Sequence, residues 1–177
     1  VSADNEKASF EEVEHLIENG YCNIAMLSGK KMAQVSERRE SGYKRALEKH
    51  GFRVREEWIV DCQFDQSTAM QKAMELKHRY PGIDAFFCAS DGIAIGAIDG
   101  MMQLGMQVPQ DVAVAGFDDF TVSKYIHGGI TSVKQYPYEM GVACANTVVS
   151  MIDGNRVPDW IPMEYKLMKR TSTKAKL

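Results

Sequence analysis

Two hydrophobic periods alternate along the chain. "SFEEVEHLIENG" puts Phe10, Val13, Leu16 and Ile17 on one helical face and stops at Gly20, a helix C-cap signal. "CNIAMLSG" is a short apolar run ending in turn residues, which reads as a buried strand. "SERRESGYKRALEKHG" is a polar amphipathic helix with Tyr43, Ala46 and Leu47 inward and a stop at Gly51. "EWIVDCQF" is the next strand. It is followed by the helix "STAMQKAMELKHRYPG", opened by a Ser/Thr cap and closed before Pro81. "IDAFFCAS" is a strand, "DGIAIGAIDGMMQLG" a helix capped by Asp91, and "DVAVAGF" a strand; "GITSVKQY" is another. "YEMGVACANTVVSMIDG" is a helix that Pro137 can start. Met140, Val142, Ala143, Ala145, Val148, Val149, Met151 and Ile152 make it apolar nearly all round, so it expects burial on more than one side. "DWIPMEYKL" reads as a last, edge-like strand, because Pro162 cannot donate to a ladder.

Strand–helix alternation at this spacing predicts βαβ units, hence an α/β fold with a doubly wound parallel sheet. The strands are continuous apolar runs, as strands covered on both faces should be. At 177 residues the chain suits one domain, or part of a two-lobed protein. Its composition is that of an ordinary globular protein, and no apolar run approaches bilayer-spanning length. No basic, apolar signal peptide is visible, although the chain opens on Val1 rather than Met.

A net charge of −3 argues against these residues gripping phosphate backbones. The one basic concentration, "KLMKRTSTKAKL", reads as a frayed tail rather than a nucleic-acid arm. Cys22, Cys62, Cys88 and Cys144 form no C-x-x-C, and the four histidines show no metal-ligand spacing, so no metal or cofactor is expected. Free cysteines suit a reducing cytoplasm.

In such sheets ligands bind beyond the carboxyl ends of the strands. The residues there are Ser28–Gly29, Gln63–Phe64, Ser90–Asp91 and the pair Asp118–Asp119 that ends "VPQDVAVAGFDD". This edge carries no phosphate loop of either common type and no nucleophile elbow, which argues against an enzyme such as a hydrolase. Its chemistry is hydrogen bonding to a neutral, hydroxyl-rich ligand beside one ring. Each residue also has a structural reading. Asp91 can be an N-cap, Asp119 can cap the turn into "TVSKYI", Phe64 can be a strand-end core aromatic, and Arg38 and Arg39 can be solvated helix charges. "GMMQLGM" reads as core or packing surface.

Four segments together resemble the effector-binding region of the lactose/galactose repressor (LacI/GalR) family of bacterial transcription regulators. They are "SERRESGYKRALEKHG", "IDAFFCASDGIAIGAIDGMMQLGMQVPQDVAVAGFDD", "ITSVKQYPYEMG" and "DNEKASFEEVEHLIENG". The resemblance implies a periplasmic-binding-protein-like (type I) lobe. A small effector, a sugar or sugar derivative by class, would sit between two lobes, and a DNA-binding helix-turn-helix would precede them. Residues 1–135 would be the C-terminal lobe, 136–155 a crossover helix belonging to the N-terminal lobe, 156–167 the return strand and 168–177 a tail. The helix-turn-helix and most of the N-terminal lobe would lie outside the chain. Operator DNA is then a partner only through that absent domain.

The family's ligand contacts fall on Arg39, Phe64, Ser90, Asp118 and Gln135. Ser90 departs from the family's frequent Asn, and Pro137 from a position sometimes aromatic. The family also implies a homodimer, with Met101 and Tyr125 as candidate interface residues. An uptake transporter's sugar-binding protein is the alternative reading; an intact N-terminal region carrying a signal peptide rather than a helix-turn-helix would favour it.

Overall fold

The computed structural model describes residues 1–175. Strand β1 (Ser2–Ala3) leads into helix α1 (Asn5–Glu18), whose first turn is capped by the Asp4 carboxylate accepting from the Lys7 N–H at 3.0 Å. Then follow β2 (Ile24–Ser28), α2 (Gln34–Lys49), β3 (Ile59–Asp61), α3 (Gln66–Arg79), β4 (Ala85–Cys88), α4 (Asp91–Gln103), β5 (Ala113–Asp118) and β6 (Thr131–Lys134). The chain ends with α5 (Pro137–Ile152), β7 (Pro162–Met163) and β8 (Lys166–Met168).

The main sheet has the order β3-β2-β4-β5-β6-β8. It is parallel except for β8, which runs antiparallel to β6. Neighbouring residues of β5 face opposite helix layers. A Cβ on Gly116 would meet Asp91 and Ala94 of α4, whereas Phe117 packs with Ala8 of α1 and lies under Arg39 of α2. The layers themselves are tight. A Cβ on Gly96 would stand 2.2 Å from the Gln66 carbonyl oxygen, so only glycine lets α4 approach α3 this closely. The buried core runs through both faces and includes Ile24, Met26, Leu27, Tyr43, Phe86, Phe87, Ile93 and Ile98. The doubly wound α/β expectation is therefore what the chain forms.

Several local expectations are corrected. The segment expected as one edge strand divides: β7 pairs with β1 in a separate two-stranded sheet, and β8 joins the main sheet beside β6. Residues beyond β8 are not frayed. The turn Thr171–Thr173 is buried at Ser172 and Thr173; the Ser172 hydroxyl donates to the Val114 carbonyl at 2.5 Å, and the Tyr21 hydroxyl to the Lys174 carbonyl at 2.7 Å. The last two residues of the expected tail lie outside the described residues. Helix α3 is capped by Asp65 rather than by Ser67 or Thr68. Helix α4 is capped by Ser90, whose hydroxyl accepts from the Ile93 N–H at 3.3 Å, and not by Asp91.

Helix α5 behaves unlike the others: none of its residues is buried. Tyr138, Val142, Val148, Val149, Met151 and Ile152 all stand open to solvent. Met101, expected at an interface, is fully buried in the core under α4, because it lies on the face that packs on the sheet; its neighbour Met102 is the exposed one. Tyr125 is 80% exposed, beside exposed Phe120 and Val122.

Candidate binding site at the carboxyl edge

The parallel register places the ends of β2, β3, β4 and β5 on one edge of the sheet. The edge is marked by its backbone. Gln63 and Phe64 after β3, and Asp118 and Asp119 at the end of β5, all have positive φ (54°, 59°, 102° and 54°). Positive φ is uncommon for residues with a side chain, and such strain concentrates at ligand clamps. Phe64 turns its ring onto Gly29, where a Cβ would meet the ring at 2.0 Å; glycine after β2 is what admits the ring. Phe64 remains 39% exposed, so it is a surface ring and not a core aromatic.

Arg39 is the centre of the edge. It comes from α2 but is almost wholly buried. Its guanidinium stacks on the Phe117 ring at 3.6 Å, donates from Nε to Asn5 Oδ1 at 2.9 Å and from one terminal nitrogen to the Ala89 carbonyl. The other terminal nitrogen reaches Asp118 Oδ1 at 3.5 Å. Gln135, just past β6, donates to the same Asp118 oxygen at 2.6 Å. Thus Arg39, Asp118 and Gln135 converge, though they are scattered over the sequence. The Asp118 side chain keeps 23% of its surface open. Burial pulls the Arg39 guanidinium down from its ordinary value, and the nearby Asp118 and Glu12 oppose that.

Asp119 has a different role from the one expected. Its carboxylate is enclosed and takes the Arg170 guanidinium at 2.6 Å, which ties the end of the chain to β5. The turn that follows is held instead by Asp91. That buried carboxylate accepts from the Phe120 N–H at 2.7 Å, the Ser123 hydroxyl at 2.6 Å and the Ser132 hydroxyl at 2.7 Å. Burial lifts the Asp91 carboxyl to about 6, against the pull of those three donors. Ser90 and Ser28 lie at the same edge, nearly buried, and the Ser90 hydroxyl is engaged in its cap.

Sequence reasoning missed Asn5, Phe117, Arg170 and Glu12. Asn5 and Phe117 hold Arg39 from positions far along the chain, and no local pattern announces either contact. Among the described residues no cluster of His, Cys, Asp or Glu is arranged to hold a metal ion. A polar edge with a guanidinium, a carboxylate, an amide and an open ring can hydrogen-bond hydroxyls and stack an apolar ring face.

Residues 13–173 match the periplasmic binding protein-like domain family. Catabolite control protein A of Priestia megaterium is 30% identical over 176 residues, which is 98% of this chain and 53% of that protein. The probable HTH-type transcriptional repressor ExuR of Bacillus subtilis is 33% identical over 153 residues, 86% of this chain and 46% of that protein. The chain thus spans about half the length of the curated relatives it matches. Among solved structures, the transcriptional regulator CelR in complex with cellobiose superposes with a TM-score of 0.92 at 33% identity, covering 96% of this chain and 52% of that one. The Escherichia coli transcriptional repressor ascG gives a TM-score of 0.86 at 31% identity, covering 98% and 63%. With this fold and these relatives, the chain belongs to the periplasmic binding protein-like domain family, as the effector-binding region found in LacI-type transcription regulators.

Proposed function

We propose that this chain is the ligand-sensing lobe of a LacI-type transcription regulator, with its effector held at the carboxyl edge by Arg39, Phe64, Ser90, Asp118 and Gln135. The observation that carries the reading is the convergence of Arg39 and Gln135 on a part-open Asp118, on a strained turn at the strand ends. The chemistry suits a neutral, hydroxyl-rich effector: Asp118 accepts from hydroxyls and Phe64 offers a ring face. The CelR neighbour, solved with cellobiose, makes a sugar the first class to test. Ser90 contributes the least, since its hydroxyl is already engaged.

In this reading residues 1–135 are the C-terminal lobe and 136–155 a crossover helix of an N-terminal lobe supplied by the rest of the protein. The open apolar stripe of α5 supports that division, because such a helix needs a cover. The part of the return that we assign to the C-terminal lobe is β8, paired in its sheet, together with the buried turn that follows. Operator DNA would be read by a separate N-terminal domain, and effector binding would act by shifting the population of lobe arrangements. A cytoplasmic, non-enzymatic, homodimeric regulator follows from the same reading, with Tyr125 and Met102 on the exposed surface available for dimer contact. The named relatives and neighbours are transcription regulators, which favours this reading over an uptake receptor.

The test is calorimetry on the intact protein with a panel of mono- and disaccharides beginning with cellobiose. A saccharide that binds the wild type should bind Arg39→Ala and Asp118→Asn more weakly by about 1–3 kcal/mol, the cost of leaving a buried polar partner unpaired. Unchanged affinity in both variants would remove these residues from the site.

A further inference from the structure

Asp118 and Asp119 close β5 in a conformation that residues with a side chain avoid, at φ 102° and 54°. Such backbone persists only where its surroundings over-determine it. The two amides that follow Asp118 show what does so here. The Phe120 N–H donates directly to Asp91 Oδ2 at 2.7 Å. The Asp119 N–H donates to the Ser132 hydroxyl oxygen at 3.0 Å, and that hydroxyl donates in turn to Asp91 Oδ1 at 2.7 Å. Both amides thus end on one carboxylate. Asp91 also lies against β5 ahead of the turn: a Cβ on Gly116 would stand 2.4 Å from its Oδ1. It therefore meets the chain on both sides of Asp118, and only glycine at 116 leaves it room.

Ser123, from the turn Thr121–Lys124, adds a third donor, its hydroxyl meeting Asp91 Oδ2 at 2.6 Å. All three partners donate to the carboxyl, an arrangement that suits its ionised form. A proton on Oδ1 would leave the Ser132 hydroxyl proton without its acceptor, and one on Oδ2 would displace Ser123 or Phe120. Burial nevertheless lifts the Asp91 carboxyl to about 6, while the three donors pull it down and Asp118 of β5 raises it. Of the other titratable groups around it, Glu12 of α1, which is fully buried, Arg39 of α2 and the Cys88 thiol of β4 feel its charge. Lys134 of β6 stands over the Tyr136 ring, Lys124 is exposed, and Asp119 is closed on Arg170.

We propose that Asp91 is a positioning residue of the effector edge: it gathers the amides that follow Asp118, fixes that left-handed turn, and so keeps the Asp118 carboxylate where it meets the effector. The proposal rests on the site reading given above. Its consequence is a pH dependence of opposite sign for binding and for folding. Binding is full while Asp91 is ionised and falls as pH drops through about 6. Folding moves the other way. The folded-state value lies above the ordinary 3.8, so the native state binds the proton more tightly than the unfolded chain. Stability from this group is full below 3.8 and drains away as pH rises through about 6. A residue that only held the fold together would move both in the same direction.

In the intact protein, isotope-labelled at phenylalanine and aspartate, we expect the Phe120 and Asp119 amides to shift on one step near pH 6 that is absent from Asp91→Asn. The three-bond coupling that reports φ at Asp118 should change on that same step. Ser123→Ala removes a donor to the ionised form and should move the midpoint to higher pH. By calorimetry, affinity for cellobiose, or for the first saccharide of the panel that binds, should fall roughly tenfold from about pH 7.5 to about pH 5 in the wild type. Asp91→Asn should bind it about tenfold more weakly than the wild type at about pH 7.5 and lack the step. Over the same fall in pH, the wild type should gain Tm relative to Asp91→Asn. A coupling at Asp118 that ignores the step, a midpoint unmoved by Ser123→Ala, or wild-type affinity constant across this window would each overturn the proposal. If the coupling follows the step while no saccharide binds the wild type, the positioning of Asp118 stands and the choice of effector class is what fails.

Discussion

Asp118 and Asp119 are adjacent, chemically identical and both in the positive-φ region, yet they do opposite work. Asp119 is closed off, with 1% of its side chain exposed, and spends its charge on Arg170 of the chain end. Asp118 keeps about a quarter of its side chain open and shares one oxygen between Arg39 and Gln135. The peptide between them turns the chain so that one carboxylate points into the fold and the other to the strand-end surface. Two acids closing a buried strand can thus divide their work: Asp119 ties the chain end to β5, and Asp118 is left part-open at the strand-end surface. Asp91 completes the fastening from α4, through the backbone of Phe120 and the hydroxyls of Ser123 and Ser132.

The largest effect should come from the inward acid. Asp119→Ala strands the mostly buried Arg170 without its counter-charge, and removing one partner of a buried pair costs about 3–5 kcal/mol. Chemical denaturation of the intact protein measures this, and a loss under about 1 kcal/mol would mean that the pair is not what ties the chain end to β5. For the outward acid the pattern reverses. Asp118→Asn should cost less stability than Asp119→Ala, because Arg39 keeps its bonds to Asn5 and Ala89 and its contact with Asp118 is long, while it weakens saccharide binding by about 1–3 kcal/mol. Equal effects of the two substitutions on folding would erase the contrast.

A third acid sharpens the comparison through pH. The folded-state pKa of Glu12 is raised above its ordinary 4.5, so the native state binds the proton more tightly than the unfolded chain. Wild-type stability from this group is full below that value and drains away as pH rises towards the folded pKa, at no more than about 1.4 kcal/mol per pH unit. Glu12→Gln does not titrate, so its advantage over the wild type should widen as pH rises from about 4.5. Denaturation midpoints measured across that range test it; a constant gap contradicts the buried neutral acid. The smallest effect should lie on α5. Val149 is 56% exposed, so Val149→Ser should change the stability of the 177-residue chain by within about 0.5 kcal/mol, whereas in the intact protein we expect a clear loss if a second lobe covers it.

Much of the fold could be read from the chain because its periods are clean. Runs such as "IAML" and "AFFC" are buried on both faces, and the helices between them carry apolar stripes, so the parallel sheet followed from pattern alone. The strand-end rule then located Ser28, Phe64, Ser90 and Asp118 on one edge. What pattern could not supply was partnership. Arg39 meets Asn5 from 34 residues away, and Asp119 meets Arg170 from 51 residues away, and no local signal predicts such pairs. Met101 and Met102 read alike in sequence, but helix rotation sends the first into the core and the second outward. The last segment was misread because "PMEYKL" serves two sheets in succession, a division that only the partner strands β1 and β6 determine.

On the proposed reading a small hydroxyl-rich effector is held by Asp118 and not by Asp119. The direct measurement is isothermal calorimetry of the intact protein with a saccharide that binds the wild type, repeated on Asp118→Asn and Asp119→Asn at a temperature where both are folded. We expect a tenfold or greater loss of affinity in Asp118→Asn, about 1.4 kcal/mol or more, and near wild-type affinity in folded Asp119→Asn. Wild-type affinity in Asp118→Asn, or the greater loss in Asp119→Asn, would contradict it.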